Sequence, residues 1–401
     1  MKLSKQTEIL KLTRNIQTPF FLLDINVLRE KILCFNEIFE KYDINFELLY
    51  SVKTNYNPHI IKFLYDHKIG LEIISGFEID LLEKINLLNE KVIINGPSKS
   101  KNELIKVINA NTTIQTDSLQ EIKEINEISF SLNKCCDIGL RIQPDGSNWK
   151  RFGIPIEYLS SLIVEVKNKY KNVRIVGLHS HLGTQILDVE AYKLLAEQLS
   201  FLAREHSLLD QLKYLNLGGG LPSYSAPLTH HKEKPRPLID YFQAIEIGLK
   251  EIIKEKNSII VFMEPGRALV DESMDLVCSV MSSNFDRIVL DTGKNDIPSL
   301  NIRNHPIYFD SENISLSEKD IYGSLCMRSD SFPQRQKVPH LNRGDRALIS
   351  TVGAYVNSQS MSFIKYKPPI YSYDSSLEYL NLKLIERRQT IHDIMERYIL
   401  M

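Results

Sequence analysis

Residues 47–52, ELLYSV, form the first of eight short runs that are rich in apolar and β-branched residues. The other seven runs are residues 70–74, 91–95, 112–116, 137–142, 174–179, 214–217 and 258–263. Segments with the helical spacing of apolar residues lie between most of these runs. Strands that alternate with helices are typical of a parallel sheet with crossover helices. Eight repeats over about 250 residues predict an α/β fold of the (β/α)8 barrel type, with an open doubly wound sheet as the alternative.

The alternation stops near residue 268, and the rest of the chain contains short strand-like pieces. These pieces are residues 287–291, 306–310, 345–350 and 382–386. They predict a second, mostly β domain. Residues 221–237 contain four prolines and the stretch HHKEKPRP, which predicts a long surface loop.

Composition sets limits on the class of protein. The 401 residues are 43% hydrophobic and 25% charged, with a net charge of −1, which is ordinary for a globular protein and gives no indication of a nucleic-acid or membrane partner. The first 18 residues lack the features of a signal peptide, and the chain has no apolar run of membrane-spanning length. The five cysteines have no metal-site spacing. We therefore expect a cytoplasmic protein with reduced thiols and no bound metal.

Reactive residues of a barrel gather at the carboxyl ends of its strands, so the residues at the end of each run are the candidates for chemistry. Lys53 comes directly after the first run, where it is either a solvated lysine or an amine activated by partial desolvation. Gly218–Gly220 come after the seventh run and leave backbone amides open to an anion. Glu264 and Arg267 come after the eighth run, and arginine beside glycine-rich backbone is typical of phosphate binding.

The sixth run ends with GLHSHLGTQ, in which two histidines two residues apart point to the same face of a strand. They could be metal ligands, structural residues, or imidazoles that stack on an aromatic cofactor. Together, a lysine, a glycine-rich turn, a carboxylate and an arginine at strand ends provide the groups that pyridoxal 5′-phosphate (PLP) requires. That cofactor needs an amine for its aldehyde, a partner for its pyridine nitrogen and a cup for its phosphate.

The chain resembles the fold-type III PLP decarboxylases, the group of diaminopimelate, ornithine and arginine decarboxylases, and the diaminopimelate branch most of all. The resemblance extends from TPFFLLD near residue 18 to LKLIERRQTIHDIM near residue 395. The motifs occur in the family's order: YSVKTN, ISGFEID, NGPSK, GLRIQP, KRFGI, GLHSHLGTQ, LNLGGG, EPGR, GSLCMRSD and VGAY. The resemblance implies a PLP-binding barrel over residues 25–270 and a β-rich domain formed by residues 1–24 and 271–401.

The resemblance also implies roles for residues. Lys53 would hold the cofactor as a Schiff base, His181 would stack on its ring, and Glu264 would pair with the pyridine nitrogen. Glu72 and Arg141 would line the ring side of the pocket. Cys326 would come from the partner subunit of a homodimer with shared active sites and would help to return a proton. The residues implied for the phosphate are Thr184, Gly219, Gly220, Arg267 and Tyr355.

The segment after Cys326 departs from the family. Family members carry an acidic residue directly after the cysteine, whereas this chain has Met327 and Arg328, with Asp330 completing the segment. The arginine of diaminopimelate decarboxylases is also missing from DTGKNDIPSLN. Lys294, Arg303 or Arg328 could therefore meet an acidic or phosphate-bearing group of the substrate. We expect a conjugated amino acid, as in microcin C-type antibiotic or siderophore pathways, with diaminopimelate decarboxylation as the alternative.

Two other functions compete with decarboxylation. A PLP racemase needs a second base across the ring, usually a tyrosine, whereas the segment Cys326–Asp330 favours decarboxylation. A PLP-binding protein without catalysis would be a barrel alone, and the predicted second domain argues against it. The sequence therefore predicts a PLP-dependent amino-acid decarboxylase.

Overall fold

The computed structural model describes residues 5–144, 151–310 and 315–399. Lys150, the first residue of the motif KRFGI, lies outside this range. The chain divides into two compact units, and each is described by itself. The barrel unit contains Ile32–Pro222 and Pro235–Gly266. The β unit contains Met1–Lys31, Ser223–Lys234 and Arg267–Met401.

Eight parallel strands close into a barrel, as the sequence predicts. Strand β1 (Phe20–Asp24) precedes them and belongs to the β unit. The barrel strands are β2 (Asn45–Ser51), β3 (Gly70–Ile73), β4 (Val92–Ile94), β5 (Thr113–Thr116), β6 (Cys136–Arg141), β7 (Val173–His179), β8 (Tyr214–Asn216) and β9 (Ile260–Met263). Each strand pairs with the next, and β9 pairs with β2 to complete the ring.

Helices connect the barrel strands. In chain order the helices are α1 (Lys5–Leu12), α2 (Ile25–Phe39), α3 (Pro58–Asp66), α4 (Gly76–Lys84), α5 (Lys101–Asn109), α6 (Leu119–Ser131), α7 (Ile156–Lys169), α8 (Glu190–Glu205), α9 (Leu238–Glu255), α10 (Arg267–Val270) and α11 (Ile391–Met395). Local sequence fixes several starts. Ser100 and Glu103 form a capping box at α5, and Asn57 caps α3 with Pro58 in its first turn. Such caps satisfy amide groups that a helix leaves unpaired.

Tyr214 fills part of the barrel interior. A Cβ atom at Gly177 would lie 2.0 Å from Cζ of Tyr214, and one at Gly139 would lie 2.3 Å from its hydroxyl oxygen. The hydroxyl of Tyr214 accepts a 3.0 Å hydrogen bond from Nε2 of Gln115. The two glycines therefore make room for one large ring, which is how a closed barrel is packed.

The β unit is built on a nine-stranded sheet. Its remaining strands are β10 (Met274–Asn284), β11 (Arg287–Leu290), β12 (Ile307–Phe309), β13 (Leu316–Tyr322), β14 (Gln336–Pro339), β15 (Arg346–Ile349), β16 (Ile370–Tyr373) and β17 (Lys383–Glu386). Strand β1 pairs antiparallel with β10 and parallel with β16. The core of the β unit includes Leu10, Phe20, Val277 and Leu348, which are buried together.

The four strand-like pieces predicted for this part of the chain correspond to β11, β12, β15 and β17. Five strands of the β unit were missed, namely β1, β10, β13, β14 and β16. The predicted surface loop is confirmed, because residues 221–237 contain no helix or strand beyond an isolated bridge at Leu228. Among the described residues, no helix combines the length and apolar character needed to cross a membrane.

Candidate active site

Lys53 lies directly after β2, in the short 3-10 turn Val52–Thr54. Its Nζ lies 2.8 Å from Oε2 and 3.1 Å from Oε1 of Glu72, which is fully buried in β3. The hydroxyl of Ser51 also donates to Glu72. Burial opposes ionisation of Glu72, but the charge of Lys53 and these hydrogen bonds outweigh it and lower the pKa of the carboxyl. The structure therefore pairs the predicted amine with a buried carboxylate.

Glu264 comes after β9 and is buried at the same edge of the barrel. Its Oε1 accepts 2.9 Å and 2.7 Å hydrogen bonds from the side-chain amides of Asn95 and Asn216. Burial, together with the charge of Glu72, raises the pKa of Glu264 to about 7. A cation placed against this carboxylate would therefore favour its charged form.

The two histidines of HSHLG have different surroundings. Nδ1 of His181 accepts a 3.0 Å hydrogen bond from the amide of Gly219, so its proton sits on Nε2. Burial and the charges of Lys53 and Arg141 lower the pKa of His181 to about 3, which keeps the ring neutral. His179 is buried with Nε2 3.7 Å from Oε2 of Glu264, and burial holds its pKa well below the ordinary value.

The glycine run after β8 cannot carry side chains. Gly218 and Gly220 have φ angles of +67° and +100°, and a Cβ at Gly219 would lie 2.4 Å from the carbonyl oxygen of Glu264. The amide of Ile186 donates to the carbonyl of Gly220 over 2.9 Å, which joins this turn to the loop that holds the exposed Thr184. The turn is thus a place where backbone can approach an anion closely.

Arg141 ends β6, and its guanidinium carbon lies 4.8 Å from the ring centroid of Phe152. Its Nε is 3.9 Å from Oδ1 of Asp117, and the same oxygen accepts a 2.6 Å hydrogen bond from the amide of Gly153. Asp117 and Phe152 therefore orient Arg141 at the carboxyl end of the barrel strands. In the barrel unit, the predicted residues that lie in the last two positions of these strands or come after them are Lys53, Glu72, Arg141, His181, Thr184, Gly219, Gly220 and Glu264.

In the β unit, Arg267 stacks over the ring of Tyr355, with its guanidinium carbon 5.1 Å from the ring centroid. Its Nη1 lies 3.3 Å from Oδ2 of Asp271. Tyr355 adopts a φ of +60°, an uncommon conformation for a residue with a side chain. Two residues predicted to bind phosphate are therefore neighbours.

The residues predicted to contact substrate are placed differently from one another. Cys326 and Arg328 are exposed. Asp330 is buried and accepts hydrogen bonds from the amides of Leu325 (2.7 Å) and Lys294 (2.6 Å), so its carboxylate holds the segment in shape. Nζ of Lys294 donates to the side-chain oxygen of Asn301 over 3.1 Å.

Unlike Arg328, Arg303 does not lie at the surface. It is 1% exposed, and its guanidinium forms a two-point ion pair with Asp271. This arrangement favours a structural role for Arg303 over contact with a substrate.

Sequence reasoning missed Asn95 and Asn216, whose side chains hold the two site carboxylates. Both asparagines stand at strand ends, Asn95 directly after β4 and Asn216 as the last residue of β8. Their position at the strand ends could have identified them from the sequence, since polar residues at the carboxyl ends of barrel strands face the site. Charged residues, histidines and glycines at those ends mark a site more plainly than neutral amides do.

Comparison with known proteins gives a consistent family. Residues 27–271 match the family model described as pyridoxal-dependent decarboxylase, pyridoxal binding domain. The diaminopimelate decarboxylase of Aquifex aeolicus is 28% identical over 96% of this chain and 93% of the relative. That of Campylobacter jejuni is 27% identical over 96% of both. The crystal structure of Helicobacter pylori diaminopimelate decarboxylase complexed with L-lysine shares the fold, with a TM-score of 0.86, 24% identity and coverage of 96% of this chain and 98% of that one.

The residues of the barrel fit this cofactor. Lys53 could supply the amine, Glu264 could supply a buried carboxylate held by two amides, and a Cβ would fill the space left at Gly219. The neutral ring of His181 is fixed against the glycine turn. Since the family model covers more than half of the chain and the barrel offers each group that PLP requires, the chain belongs to the pyridoxal-dependent decarboxylases and is an amino-acid decarboxylase that uses PLP.

Proposed function

We propose that this enzyme removes one α-carboxylate of diaminopimelate and releases lysine and CO2. The proposal is supported mainly by the 28% identity to the Aquifex aeolicus diaminopimelate decarboxylase over 96% of the chain. These matches favour diaminopimelate, the alternative prediction from the sequence, over a conjugated substrate from an antibiotic or siderophore pathway. In this reaction the bond from Cα to the carboxylate breaks, its electrons stay on the substrate, and a proton then replaces CO2.

When bound, PLP supplies an electron-withdrawing ring that accepts the electron pair left by CO2. Lys53 would hold the cofactor through its amine until the substrate amine takes its place. Glu72 lies on Nζ of Lys53 and keeps a proton at that nitrogen, which favours the exchange between amines. Lys53 follows β2 and Glu72 lies in the adjacent strand β3, so the barrel fixes their geometry.

Glu264 would stabilise positive charge on the pyridine nitrogen. Its carboxylate is held by Asn95 and Asn216, so it needs no rearrangement when charge develops. His181 and Arg141 would line the ring, and the neutral imidazole of His181 would add no charge that opposes a cationic ring. Of the residues that the resemblance implies for the phosphate, Thr184, Gly219 and Gly220 belong to the barrel unit, and Arg267 and Tyr355 belong to the β unit.

The proposal includes a homodimer in which Cys326 of one subunit returns the proton in the active site of the other. Its exposed thiol is consistent with a role outside its own subunit's core. Mixed dimers test this arrangement. Lys53→Ala and Cys326→Ala proteins, each inactive alone, should regain up to about a quarter of full activity when their subunits exchange, because one of the two shared sites is then intact in half of the dimers. No regain on proven subunit exchange would contradict shared sites.

The substrate is tested by supplying meso-diaminopimelate to the PLP-loaded enzyme and measuring CO2 and lysine. We expect turnover in the ordinary range of about 1–10³ s⁻¹. Lys53→Ala is the control, and it should give neither product. A PLP-loaded enzyme with no turnover of meso-diaminopimelate would contradict the proposed substrate while leaving the family unaffected.

A second candidate is a conjugated amino acid, whose far end carries an added acidic or phosphate group. It is favoured by the exposed Arg328, which comes after Cys326 and Met327 where the family resemblance leads one to expect an acidic residue. A guanidinium binds carboxylates and phosphates in two-point geometry. Arg328→Ala should then raise KM for the anionic substrate and leave PLP bound. If it raises KM for meso-diaminopimelate alone, the second candidate is excluded.

A further inference from the structure

Asn95 contacts both buried carboxylates of the barrel site at once. Its Nδ2 donates to Oε1 of Glu72 over 3.0 Å and to Oε1 of Glu264 over 2.9 Å. Asn95 is 3% exposed, and its backbone amide continues the sheet by donating to the carbonyl of Ile73 over 2.8 Å. A primary amide has two N–H bonds, so one nitrogen can serve both carboxylates.

The orientation of this amide is set by the charges around it. Oδ1 of Asn95 is buried and has no hydrogen-bond partner within the described part of the chain. Rotating the amide by 180° would place Oδ1 against two carboxylates, which is repulsive. An asparagine with a purely structural role would be expected to satisfy its carbonyl oxygen, because a buried acceptor without a partner costs free energy. Asn95 leaves that oxygen unsatisfied and uses only its donor.

These contacts form a continuous hydrogen-bonded chain across the mouth of the barrel. Lys53 and Ser51 donate to Glu72, Asn95 joins Glu72 to Glu264, and Asn216 donates to Glu264. Asn216 is held in turn by the amide of Gly218, which donates to its Oδ1 over 2.9 Å. Within this chain Ser51 serves Glu72 alone and Asn216 serves Glu264 alone. Asn95 is the member that serves both.

We propose that Asn95 is a positioning residue that couples the Lys53–Glu72 pair to Glu264, so that the proton affinity at Nζ of Lys53 depends on the hydrogen bonds made by Asn95. Without the amide, Glu72 would lose a donor to its charged form and would ionise less readily. A less charged Glu72 would hold a proton at Nζ less tightly. Asn216 cannot have this effect through a hydrogen bond, because it does not contact Glu72.

Other titratable groups also act on this hydrogen-bonded chain. Glu78 lies close enough for the charge of Glu72 to contribute to raising its pKa. The histidines of the barrel mouth are held neutral by burial and by neighbouring cations. The titratable and charged groups that belong to this hydrogen-bonded chain or face it are Lys53, Glu72, Glu78, Lys99, Arg141, His179, His181 and Glu264. They are the same in Asn95→Ala and Asn216→Ala, so they do not affect a comparison of those two variants.

The test is a pH titration of the visible absorption band of the PLP-loaded protein without substrate, in Asn95→Ala and Asn216→Ala. Each variant removes the side-chain amide of an asparagine that stands at a strand end and donates to Glu264. We expect Asn95→Ala to lower the midpoint pH by about one unit, a tenfold loss of proton affinity, and Asn216→Ala to lower it by less than about a third of that. Since substrate is not used, the result is independent of whether diaminopimelate is the substrate.

A midpoint that moves equally in the two variants, or not at all in Asn95→Ala, would overturn the coupling. If Asn95→Ala does not fold, Asn95→Ser and Asn216→Ser allow the same comparison, since serine keeps one donor and can serve one carboxylate. A larger shift in Asn95→Ser than in Asn216→Ser supports the proposal, and equal shifts refute it. Thermal unfolding of each variant shows whether a common loss of stability accounts for both shifts.

Discussion

The guanidinium of Arg303 donates to both carboxylate oxygens of Asp271, with nitrogen–oxygen distances of 3.1 and 2.5 Å, and both side chains are buried. The Nε of Arg303 donates to the carbonyl of Ala226 over 2.9 Å. Asp271 also accepts a hydrogen bond from the amide of Ala354 over 3.2 Å and lies 3.3 Å from Arg267. This ion pair therefore joins four separate stretches of the β unit, at Ala226, Asp271, Arg303 and Ala354.

Replacing Arg303 with methionine should destabilise the β unit strongly. The change leaves Asp271 buried with Arg267 as its remaining cationic neighbour, and removal of one partner from a buried ion pair costs about 3–5 kcal/mol. We expect a loss near the lower end of that range, about 3 kcal/mol, because Arg267 compensates in part. Urea unfolding followed by circular dichroism measures the change.

The matched control for Arg303→Met is Lys62→Met, which breaks the exposed pair between Lys62 and Asp66 in α3. Exposed pairs contribute about 0–1 kcal/mol, so this variant should unfold at nearly the same urea concentration as the unchanged protein. Adding Asp271→Leu to Arg303→Met should recover part of the lost stability, because it removes the buried carboxylate that has lost its two-point partner. Equal stability of the two single variants would contradict a structural role for the buried pair.

Lys53→Ala should abolish the visible band of the PLP-loaded enzyme. The amine of Lys53 is the group at the barrel mouth that pairs with Glu72, and its loss removes the covalent link to the cofactor. We expect kcat to fall by about a thousandfold or more, as when a covalent nucleophile is removed from other enzymes. Borohydride reduction followed by mass spectrometry of peptides locates the link.

Lys62→Ala is the control for lysine replacement, because that lysine is exposed and lies in α3 away from the strand ends. It should keep the band and the labelled Lys53 peptide. A labelled peptide from another lysine in the unchanged protein would contradict the assignment.

The strands of the barrel were predicted from sequence to within two residues at each end. Strands of a parallel barrel are covered on both sides, so they appear as continuous apolar runs, such as VII in β4. The sheet of the β unit was harder to predict. Strand β13 is largely exposed over its first residues and β14 reads QKVP, so neither has an apolar pattern that distinguishes it from a loop.

The site was predicted where charge or glycine marks it and missed where neutral amides hold the carboxylates. Asparagine is frequent in turns, so Asn95 and Asn216 at strand ends do not stand out in one sequence. Whether such a side chain points into the barrel depends on the register with which the strands close. The pairing of Arg303 with Asp271 across 32 positions likewise requires tertiary structure. Arginine is rarely buried, which made contact with substrate the natural hypothesis.

His181 should remain neutral and keep its proton on Nε2 throughout the range in which most histidines titrate. Its pKa is lowered to about 3 by burial and by Lys53 and Arg141, and its Nδ1 accepts from Gly219. Two-bond ¹H–¹⁵N correlation spectra of the protein without PLP, recorded between about pH 5 and 8, report both properties. Exposed histidines provide the reference, since a free imidazole side chain titrates near about 6.5. Titration of His181 near that value would contradict the buried, cation-rich surroundings of its ring.

Relative to the unchanged protein, Asp296→Asn should have a higher free energy of unfolding at high pH than at low pH. Burial raises the pKa of Asp296 to about 7, although the hydroxyl of Thr292 donates to it over 2.8 Å. Below the unfolded pKa of about 4 the carboxyl is protonated in both states and has no effect. Between about pH 4 and 7 the unfolded chain releases the proton and the folded chain keeps it, so the free energy of unfolding falls as the pH rises and is level above 7.

An asparagine at position 296 removes this titration. The difference in the free energy of unfolding between variant and unchanged protein should therefore shift in favour of the variant by about 2 kcal/mol from pH 5 to pH 8. Urea unfolding at the two pH values measures it. Asp66→Asn, at an exposed carboxylate, is the control for the replacement of a carboxyl group by an amide. If the Asp296→Asn difference were the same at both pH values, Asp296 would be ionised in the folded protein at pH 5, and hydrogen bonds from Thr292 and Asn295 would have to outweigh its burial.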